Sequence, residues 1–393
     1  MRDHEEQAEP VWLSEESCNL EAFKAHLDRQ TRAADYPEAD EIIRNIPVYD
    51  GDRVRGALTH APRALMAEWN RCFATGPGIV AVRRGFADTG LIDAVTDILS
   101  QVIAQEEATG GGTGDHFAGA GANSRLWNAH EKLAMAAPEL FVRYNANPII
   151  GALAEAWLGP AWQMTTQVNV VRPGGRAQVA HRDYHMGFQT AEDLARYPAS
   201  QHAVSARLTL QGAVAHSAMP VASGPTKLLP YSQSYLPGYL AVLRPEFRDH
   251  FEAAHVQLPL EKGDLLFFNP ATFHAAGDNR SEDLQRFANL MQIGSAYGRS
   301  IEIVDRSRLS RQIYPTLLRM VQAGQLDPQD SASVIAATAE GYPFPANLDI
   351  DSPLSGMAPP SQQDIMRQAL NEGWDAARFA DALAVQDGRK RSH

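Results

Sequence analysis

The sequence has few cysteines, no long apolar run and no excess of positive charge, and each absence excludes a class of protein. Its two cysteines, Cys18 and Cys72, are too few for a disulfide-stapled secreted fold or a Cys-x-x-Cys metal knuckle. No segment reaches the ~18 uninterrupted apolar residues of a membrane span, and the first residues lack the apolar stretch of a secretory signal. A cytoplasmic location without a membrane partner is therefore expected. The formal net charge of −12 argues against nucleic acid as a partner, because Lys and Arg must bind the phosphates.

The acidic charge is concentrated near the N-terminus, and helical patterns return near the C-terminus. Residues 1–50 hold 13 acidic and 5 basic residues. We interpret residues 1–75 as an acidic arm with short helices. Apolar residues at helical spacing in Leu309–Ala323 and Gln362–Leu383 predict a helical extension at 301–393 that packs on the core.

Residues 76–300 combine helices with a series of short strands. Ile79–Val82 follows a Gly/Pro cluster, which is typical of a strand, and Asp88 or Thr89 can cap the helix behind it. Apolar alternation or short apolar runs predict further strands at Met164–Val171, Val204–Gln211, Leu265–Phe268 and Arg286–Ile293. Short strands separated by Gly/Pro turns favour an antiparallel sandwich or jelly roll. The predicted fold class is α+β, with a jelly-roll core.

A glycine-rich segment interrupts the helical part of this region. Six glycines lie within residues 110–121, and no Gly-Lys-Ser/Thr follows them, which excludes a phosphate-binding P-loop. A surface loop is one interpretation, and a lid over an active site is the other.

Two histidines and one carboxylate have the spacing of a metal site. His181 and Asp183 are two positions apart, so on an extended segment they face the same side. His274 ends an aromatic strand that begins after a Gly-Asp turn. Two histidines and a carboxylate on a β-scaffold form the facial triad of non-haem iron enzymes, which leaves positions open for substrate and dioxygen. Each residue alone could instead be structural, and zinc could use the same ligands.

Arg286 follows His274 at the start of a predicted strand. A guanidinium fixed on a strand can bind a carboxylate through two hydrogen bonds. Arg280, which lies closer to His274, belongs to a Gly-Asp-Asn-Arg-Ser segment that is typical of a turn and is expected to face solvent. A surface salt bridge is the alternative role for Arg286.

The order of these residues resembles the phytanoyl-CoA dioxygenase family of Fe(II)/2-oxoglutarate oxygenases, from about Gly76 to Gln292. The matching motifs are Pro173-Gly174 with Gln178-Val179-Ala180-His181-Arg182-Asp183, Ser223-Gly224-Pro225-Thr226 with Pro230-Tyr231-Ser232-Gln233, and Gly263-Asp264 with His274-Ala275-Ala276-Gly277-Asp278-Asn279-Arg280-Ser281. Tyr231 and Gln233 replace a glycine and a histidine of the family. We expect this difference to reshape the loop at the mouth of the site.

The resemblance implies a double-stranded β-helix core and a definite reaction. It implies that His181, Asp183 and His274 are the catalytic ligands of Fe(II), and that Arg286 holds the distal carboxylate of 2-oxoglutarate. Dioxygen then converts 2-oxoglutarate to succinate and CO2 while an organic substrate is oxidised. Halogenating relatives have a small residue at the position of Asp183, so its carboxylate favours hydroxylation or desaturation.

Further polar residues are candidates for contacts with 2-oxoglutarate or substrate, although each could be an ordinary inward-facing residue of the barrel. The cofactor candidates are Gln167, Asn169 and Thr226, and the substrate candidates are Gln178, His185 and Asn128. For Asn128 the start of a helix is the preferred interpretation.

Two other functions remain open on the sequence. A cupin-like hydrolase or isomerase could use zinc or manganese at the same ligands. A degenerate family member could act as a binding or scaffold subunit, although the complete triad and Arg286 argue against this. The expected partner is a small-molecule substrate, and we also consider a homodimer formed through the C-terminal helices.

Overall fold

A computed structural model describes residues 10–109, 123–352 and 358–392, so the glycine-rich segment at 110–121, with its predicted lid, lies outside the described residues. The strands are β1 Glu41–Ile43, β2 Ile46–Asp50, β3 Ile79–Arg83, β4 Asn123–Leu126, β5 Gln163–Val171, β6 Thr209–Ala215, β7 Lys227–Leu229, β8 Leu265–Phe268, β9 Phe273–Ala275 and β10 Arg286–Gly294. The first seven α-helices are α1 Leu20–Leu27, α2 Gly51–His60, α3 Pro62–Ala74, α4 Thr89–Ala108, α5 Ala129–Ala136, α6 Pro138–Asn145 and α7 Pro148–Leu158. The remaining α-helices are α8 Ala191–Ala195, α9 Ala199–Ser205, α10 Gly238–Ala241, α11 Pro245–Ala254, α12 Arg306–Gln322, α13 Pro328–Thr338, α14 Gln362–Glu372 and α15 Ala376–Arg389. Short 3-10 helices occupy Glu15–Ser17, Ala33–Asp35, His185–Phe188, Val221–Ser223 and Ser232–Ser234.

One large sheet forms the centre of the fold. Its eight strands follow the order β1-β2-β3-β8-β6-β10-β5-β4, with β2 and β3 parallel and the other pairs antiparallel. The long strands β5 and β10 pair over their whole length, from Arg286 opposite Val171 to Gly294 opposite Gln163. Because side chains alternate along a strand, every second residue of β5, β6 and β10 lies on the same face.

A second, smaller set of strands completes the core. Strands β7 and β9 pair antiparallel, and isolated bridges join His181 to His274 and Met219 to Leu260. Residues of both sets line one cavity, so the strands enclose it as in a double-stranded β-helix. The predicted α+β fold with a jelly-roll core and flanking helices is confirmed.

The face of the large sheet opposite the cavity carries the main hydrophobic core. Val168 of β5 and Ile293 of β10 are fully buried in a cluster that extends along the chain from Tyr36 to Leu383. Helix α12 packs on α5 and α6, and α13 packs on α7 and β5. At the N-terminal end, β1 and β2 extend the same sheet from β3. The division into an arm at 1–75, a core at 76–300 and an extension at 301–393 stays a prediction.

The strand predicted at Val204–Gln211 begins too early. The chain forms helix α9 up to Ser205, and strand β6 begins only at Thr209. The buried residues of α9 are His202 and Ser205, which are three positions apart. Both are polar, so the sequence shows no apolar pattern at helical spacing here. Val204 is exposed, and its alternation with Ala206 and Leu208 therefore marks no face of a sheet.

Among the described helices, none combines the length and apolar character that crossing a membrane requires.

Candidate active site

Three potential metal ligands come together where the two histidine segments pair. The backbone N–H groups of His181 and His274 each donate to the carbonyl of the other residue, at 3.0 and 3.1 Å. The N–H of Asp183 donates to the carbonyl of Pro270 at 2.9 Å. One nitrogen or oxygen atom of each residue in the trio lies within 4.8 Å of the others. Pairing of two distant segments therefore builds the cluster that the His-x-Asp spacing predicts.

The two imidazoles present the same nitrogen to the carboxylate. Nδ1 of His181 lies 2.8 Å from the carbonyl oxygen of Val179, and Nδ1 of His274 lies 2.8 Å from that of Thr272. A carbonyl oxygen only accepts, so Nδ1 carries a hydrogen in both rings and Nε2 is the atom that faces the carboxylate. The Nε2 atoms lie 3.7 Å (His181) and 3.5 Å (His274) from the carboxylate oxygens of Asp183. The donor set of two imidazoles and one carboxylate fits Fe(II).

The electrostatics of the cluster favour the protonation states that a metal ligand needs. Burial and the neighbouring His274 lower the pKa of His181, so its imidazole is neutral at neutral pH. Burial alone would raise the pKa of Asp183, but His181, His274 and a hydrogen bond from Gln211 outweigh it and hold that pKa well below its usual value. Asp183 is therefore ionised at neutral pH.

A cavity of about 420 Å³ lies directly on this cluster. Its floor is the inward face of the large sheet, including Leu266 and Phe268 of β8 and Ala288 and Leu290 of β10. The Phe268 ring lies 4.8 Å from the His274 ring, measured between centroids. The cavity has the size and the mixture of apolar and polar walls that are usual for small-molecule sites.

Arg286 reaches this cavity from the first position of β10. Its guanidinium is buried and lies 3.3 Å from the carbonyl oxygen of Ser223 and 3.5 Å from that of Gly277. Burial lowers its pKa to about 10, which leaves it charged at neutral pH. Among the described residues no carboxylate pairs with it, and a buried cation without an anion fits a site for an anionic ligand. Arg280 faces solvent beside Asp278, and 79% of its side chain is exposed.

The other predicted site residues divide between the cavity and its surroundings. Residues predicted to contact 2-oxoglutarate or substrate that do line the cavity are Gln167, Asn169, Gln178 and Thr226. Asn128 and His185 are not among the lining residues. Asn128 stands at the start of α5, as preferred from the sequence, and its N–H donates to Glu302 at 2.6 Å. A direct contact of Asn128 or His185 with substrate stays a prediction.

Two lining residues were not singled out from the sequence. Nε2 of Gln211 on β6 donates to a carboxylate oxygen of Asp183. Tyr184 lines the cavity directly after Asp183, with a strained backbone at φ 66° and ψ 146°. The polar Gln211 within an apolar strand was the available signal for the first, whereas nothing in the sequence indicates a positive φ at a tyrosine.

The family model of phytanoyl-CoA dioxygenase matches residues 76–288, which is more than half of the chain. The chain belongs to the phytanoyl-CoA dioxygenase family. As a family member it is a non-haem iron enzyme that uses Fe(II), 2-oxoglutarate and dioxygen, as the motifs predict. The donor set of the His-Asp-His cluster and the buried Arg286 fit these groups.

Two solved structures of alpha ketoglutarate-dependent enzymes from nogalamycin biosynthesis are similar to this phytanoyl-CoA dioxygenase family member. The epimerase SnoN is 21% identical over 59% of this chain and 84% of its own, with a TM-score of 0.42. The carbocyclase SnoK is 20% identical over 62% of this chain and 90% of its own, with a TM-score of 0.44. None of the curated proteins matches the chain.

Proposed function

We propose that this enzyme hydroxylates or desaturates a small to medium organic substrate while 2-oxoglutarate is converted to succinate and CO2. The observation that best supports this proposal is that His181, Asp183, His274 and the unpaired, buried Arg286 line one cavity. Iron(II), bound with 2-oxoglutarate and dioxygen, supplies the oxidising chemistry that breaks a C–H bond of the substrate.

The residues of the chain hold the reactants in position. The triad would bind the metal from one side, leaving the side toward the cavity for 2-oxoglutarate and substrate. Arg286 would bind the distal carboxylate of 2-oxoglutarate through two hydrogen bonds, and a guanidinium on a paired strand has the fixed direction that this requires. The carboxylate of Asp183 would occupy a coordination position on the metal, which supports hydroxylation or desaturation as the reaction.

The polar lining residues would complete the two binding sites. We assign Asn169, Thr226 and Gln167 to 2-oxoglutarate, because they share the cavity with Arg286. Nη1 of Arg125 donates to Oε1 of Gln167 at 3.2 Å, which fixes the direction of this amide. We assign Gln178 to the substrate, beside the histidine segment.

Metal binding tests the ligand assignment. The protein without metal, given Fe(II) anaerobically, should bind about one equivalent, and added 2-oxoglutarate should produce the visible charge-transfer band of its iron chelate. His181→Ala and Asp183→Ala should each abolish both signals, because two remaining ligands hold a labile ferrous ion poorly. His60→Ala, at an exposed position, is the matched control and should behave like the wild type. Iron retention like the wild type in both triad variants would contradict the assignment.

A substrate screen tests the reaction. Succinate release should identify compounds that stimulate 2-oxoglutarate turnover, and mass spectrometry should show an added oxygen atom or the loss of two hydrogen atoms in the product. Bound zinc or manganese with no 2-oxoglutarate turnover in the presence of Fe(II) would instead favour a cupin-like hydrolase or isomerase.

The cellular setting and the assembly are part of the proposal. We propose a cytoplasmic enzyme, which is supported by two cysteines that are both free and buried. A homodimer through α12–α15 also stays a prediction, and light scattering coupled to size-exclusion chromatography tests it.

A further inference from the structure

One wall of the cavity presents a side-chain oxygen that has no donor. Gln211 donates Nε2 to Asp183, and because a carboxylate only accepts, this bond fixes which end of the amide faces Asp183. Oε1 of Gln211 is consequently directed elsewhere. This atom is buried and has no hydrogen-bond partner among the residues that the structure describes.

Further oxygens in the same state lie in the cavity wall, and two of them belong to neighbours of Gln211 and Asp183. Gln292 on β10 stands directly opposite Gln211 on β6, so their side chains share the inward face. Oε1 of Gln292 and the hydroxyl of Tyr184 are both buried, and within the described part of the chain neither has a hydrogen-bond partner. All three residues line the cavity, and Tyr184 adjoins Asp183 in the chain.

2-Oxoglutarate cannot satisfy the two glutamine oxygens. As a dianion it offers only acceptors, so it can bond to Arg286 and to amide N–H groups but not to Oε1 of Gln211 or Gln292. A buried acceptor without a donor is unfavourable. The second ligand of the cavity therefore has to bring the donor.

The charge of the cavity distinguishes between the two common kinds of donor. Arg125, Arg182, Arg248 and Arg286 line it, and Asp183 is the single acidic residue among the described lining residues. An ammonium group would meet this excess of positive charge, whereas a hydroxyl group is neutral and can donate to either amide oxygen.

The outer part of the cavity is apolar. Val179 and Phe188 are each 60% exposed and Ile301 is 42% exposed, yet all three line the cavity together with Trp127. Exposed apolar side chains around a cavity indicate an apolar ligand surface. The ligand that fits both regions is mostly hydrocarbon and carries a hydroxyl group at its inner end.

We propose that the substrate is a neutral, largely apolar alcohol whose single O–H hydrogen is shared between the amide oxygens of Gln211 and Gln292 and whose skeleton contacts Phe188 and Ile301. This inference rests on the proposed function. Gln211 joins this hydroxyl site to Asp183, so a C–H bond near the hydroxyl group would lie close to the metal-binding residues. In a hydroxylation that C–H bond breaks and a C–O bond forms. One atom of dioxygen enters the substrate, and the other enters succinate as 2-oxoglutarate loses CO2.

Binding to the anaerobic Fe(II) and 2-oxoglutarate complex tests the inference without turnover. The probes are three alcohol and ketone pairs of increasing size: cyclohexanol with cyclohexanone, borneol with camphor, and testosterone with androstenedione. Binding is followed by the change in the visible charge-transfer band. At least one alcohol should bind about tenfold more tightly than its ketone, which lacks the donor.

Substitution of Gln292 links that preference to the proposed residues. Gln292→Leu should reduce the preference for the alcohol to less than about threefold, because one acceptor is lost. If leucine disturbs the strand, the variant Gln292→Met is used instead, because methionine is unbranched like glutamine. Gln368→Leu, the same change on the exposed surface of α14, should keep the preference.

Each other result is informative. Equal binding of alcohol and ketone in all three pairs would show that water satisfies the two amide oxygens, and it would overturn the inference. Absence of alcohol binding, or a preference that survives in the Gln292 variants, would also overturn it. A wild-type protein that gives no charge-transfer band would contradict the proposed function itself.

Discussion

Arg286 has the environment of a ligand-binding cation. Its guanidinium is buried, its hydrogen bonds within the described part of the chain go to backbone carbonyl groups at the long end of hydrogen-bond distance, and it stays charged at neutral pH. A buried charge-assisted contact contributes roughly 1.5–3 kcal/mol, so we predict that Arg286→Ala raises the apparent KM for 2-oxoglutarate by at least about tenfold. Succinate formation measured against 2-oxoglutarate concentration checks this value.

Arg280→Ala is the matched control for that measurement. Arg280 is the other arginine that follows His274 closely, but it is exposed and pairs with Asp278. Exposed ion pairs contribute little, so this substitution should leave the apparent KM for 2-oxoglutarate nearly unchanged. A larger effect at Arg280 than at Arg286 would contradict the assignment.

Gln211 should act on the metal through Asp183. Its amide donates to the carboxylate that is proposed to bind iron, and such outer contacts orient a ligand. Gln211→Leu is therefore expected to weaken Fe(II) binding by about 10- to 100-fold in an anaerobic titration. Gln368→Leu again serves as the control, and an Fe(II) affinity in Gln211→Leu equal to that of the wild type would show that the metal alone orients Asp183.

The sequence predicts those site residues that are recognisable by their order and spacing along the chain. His181, Asp183, His274 and Arg286 could be predicted as a group because a fixed order of residue types identifies them. Gln211 is visible as a polar residue in an apolar strand, but its contact with Asp183 could not be predicted, because that contact depends on how distant segments pack.

At the scale of an element, helix α10 begins in close contact with the side chain of Arg182. The Arg182 guanidinium donates to the carbonyl groups of Ser232 and Tyr235, at 2.9 Å for the latter, and packs on the rings of Tyr239 and Phe273. A Cβ atom on Gly238 would lie 1.9–2.4 Å from the guanidinium atoms. Because these contacts hold the guanidinium in place, Gly238→Ala should destabilise the protein by about 2 kcal/mol. Urea unfolding measures this free energy.

Gly56→Ala provides the opposite sign as a control. Gly56 lies inside α2, and a Cβ atom there would meet nothing within 4 Å. Alanine favours the helix, so this substitution should raise the free energy of unfolding by roughly 0.5–1 kcal/mol. Equal changes in the free energy of unfolding at Gly56 and Gly238 would show that the close contact with Arg182 does not exclude a side chain at Gly238.

The two departures from the family motif make contacts with the N-terminal segment. Tyr231 has φ 69°, its hydroxyl lies 2.6 Å from the Thr31 hydroxyl, and Arg29 packs on its ring. Gln233 donates to the carbonyl of Gly76 at 2.8 Å. Neither Tyr231 nor Gln233 lines the cavity, and a reshaped loop at its mouth stays a prediction. The sequence could not show these contacts, because they join residues about 150 to 200 positions apart.

At the scale of the whole molecule, the C-terminal helices share the main hydrophobic core with the sheet. Leu309 and Ile313 of α12 and Val334 of α13 are fully buried in the same cluster as Val168 of β5. A chain that ends at Ser300 should therefore lose its cooperative thermal transition in calorimetry and bind a hydrophobic dye, because this core is exposed.

A chain that ends at Lys390 is the control for the truncation. It keeps all of α15, so its melting temperature should be close to that of the full chain. A cooperative transition in the chain ending at Ser300 would instead support an independently folded unit at 76–300.

The C-terminal helices themselves were predictable from apolar spacing. The single predicted helix at Gln362–Leu383 is two helices, because Gly373 with φ 65° ends the first.

The large sheet separates two kinds of position along each strand. On β5 and β10, Gln167, Asn169 and Gln292 line the cavity, whereas the intervening Val168 and Met291 belong to the main hydrophobic core. A mutant library confined to Leu290 and Gln292, which line the cavity from β10 and are not assigned to 2-oxoglutarate, would therefore sample new substrate preferences while leaving the thermal stability of most members intact. Randomising the intervening positions should yield mainly insoluble protein, so the alternation of the strands provides a guide for directed evolution of this enzyme.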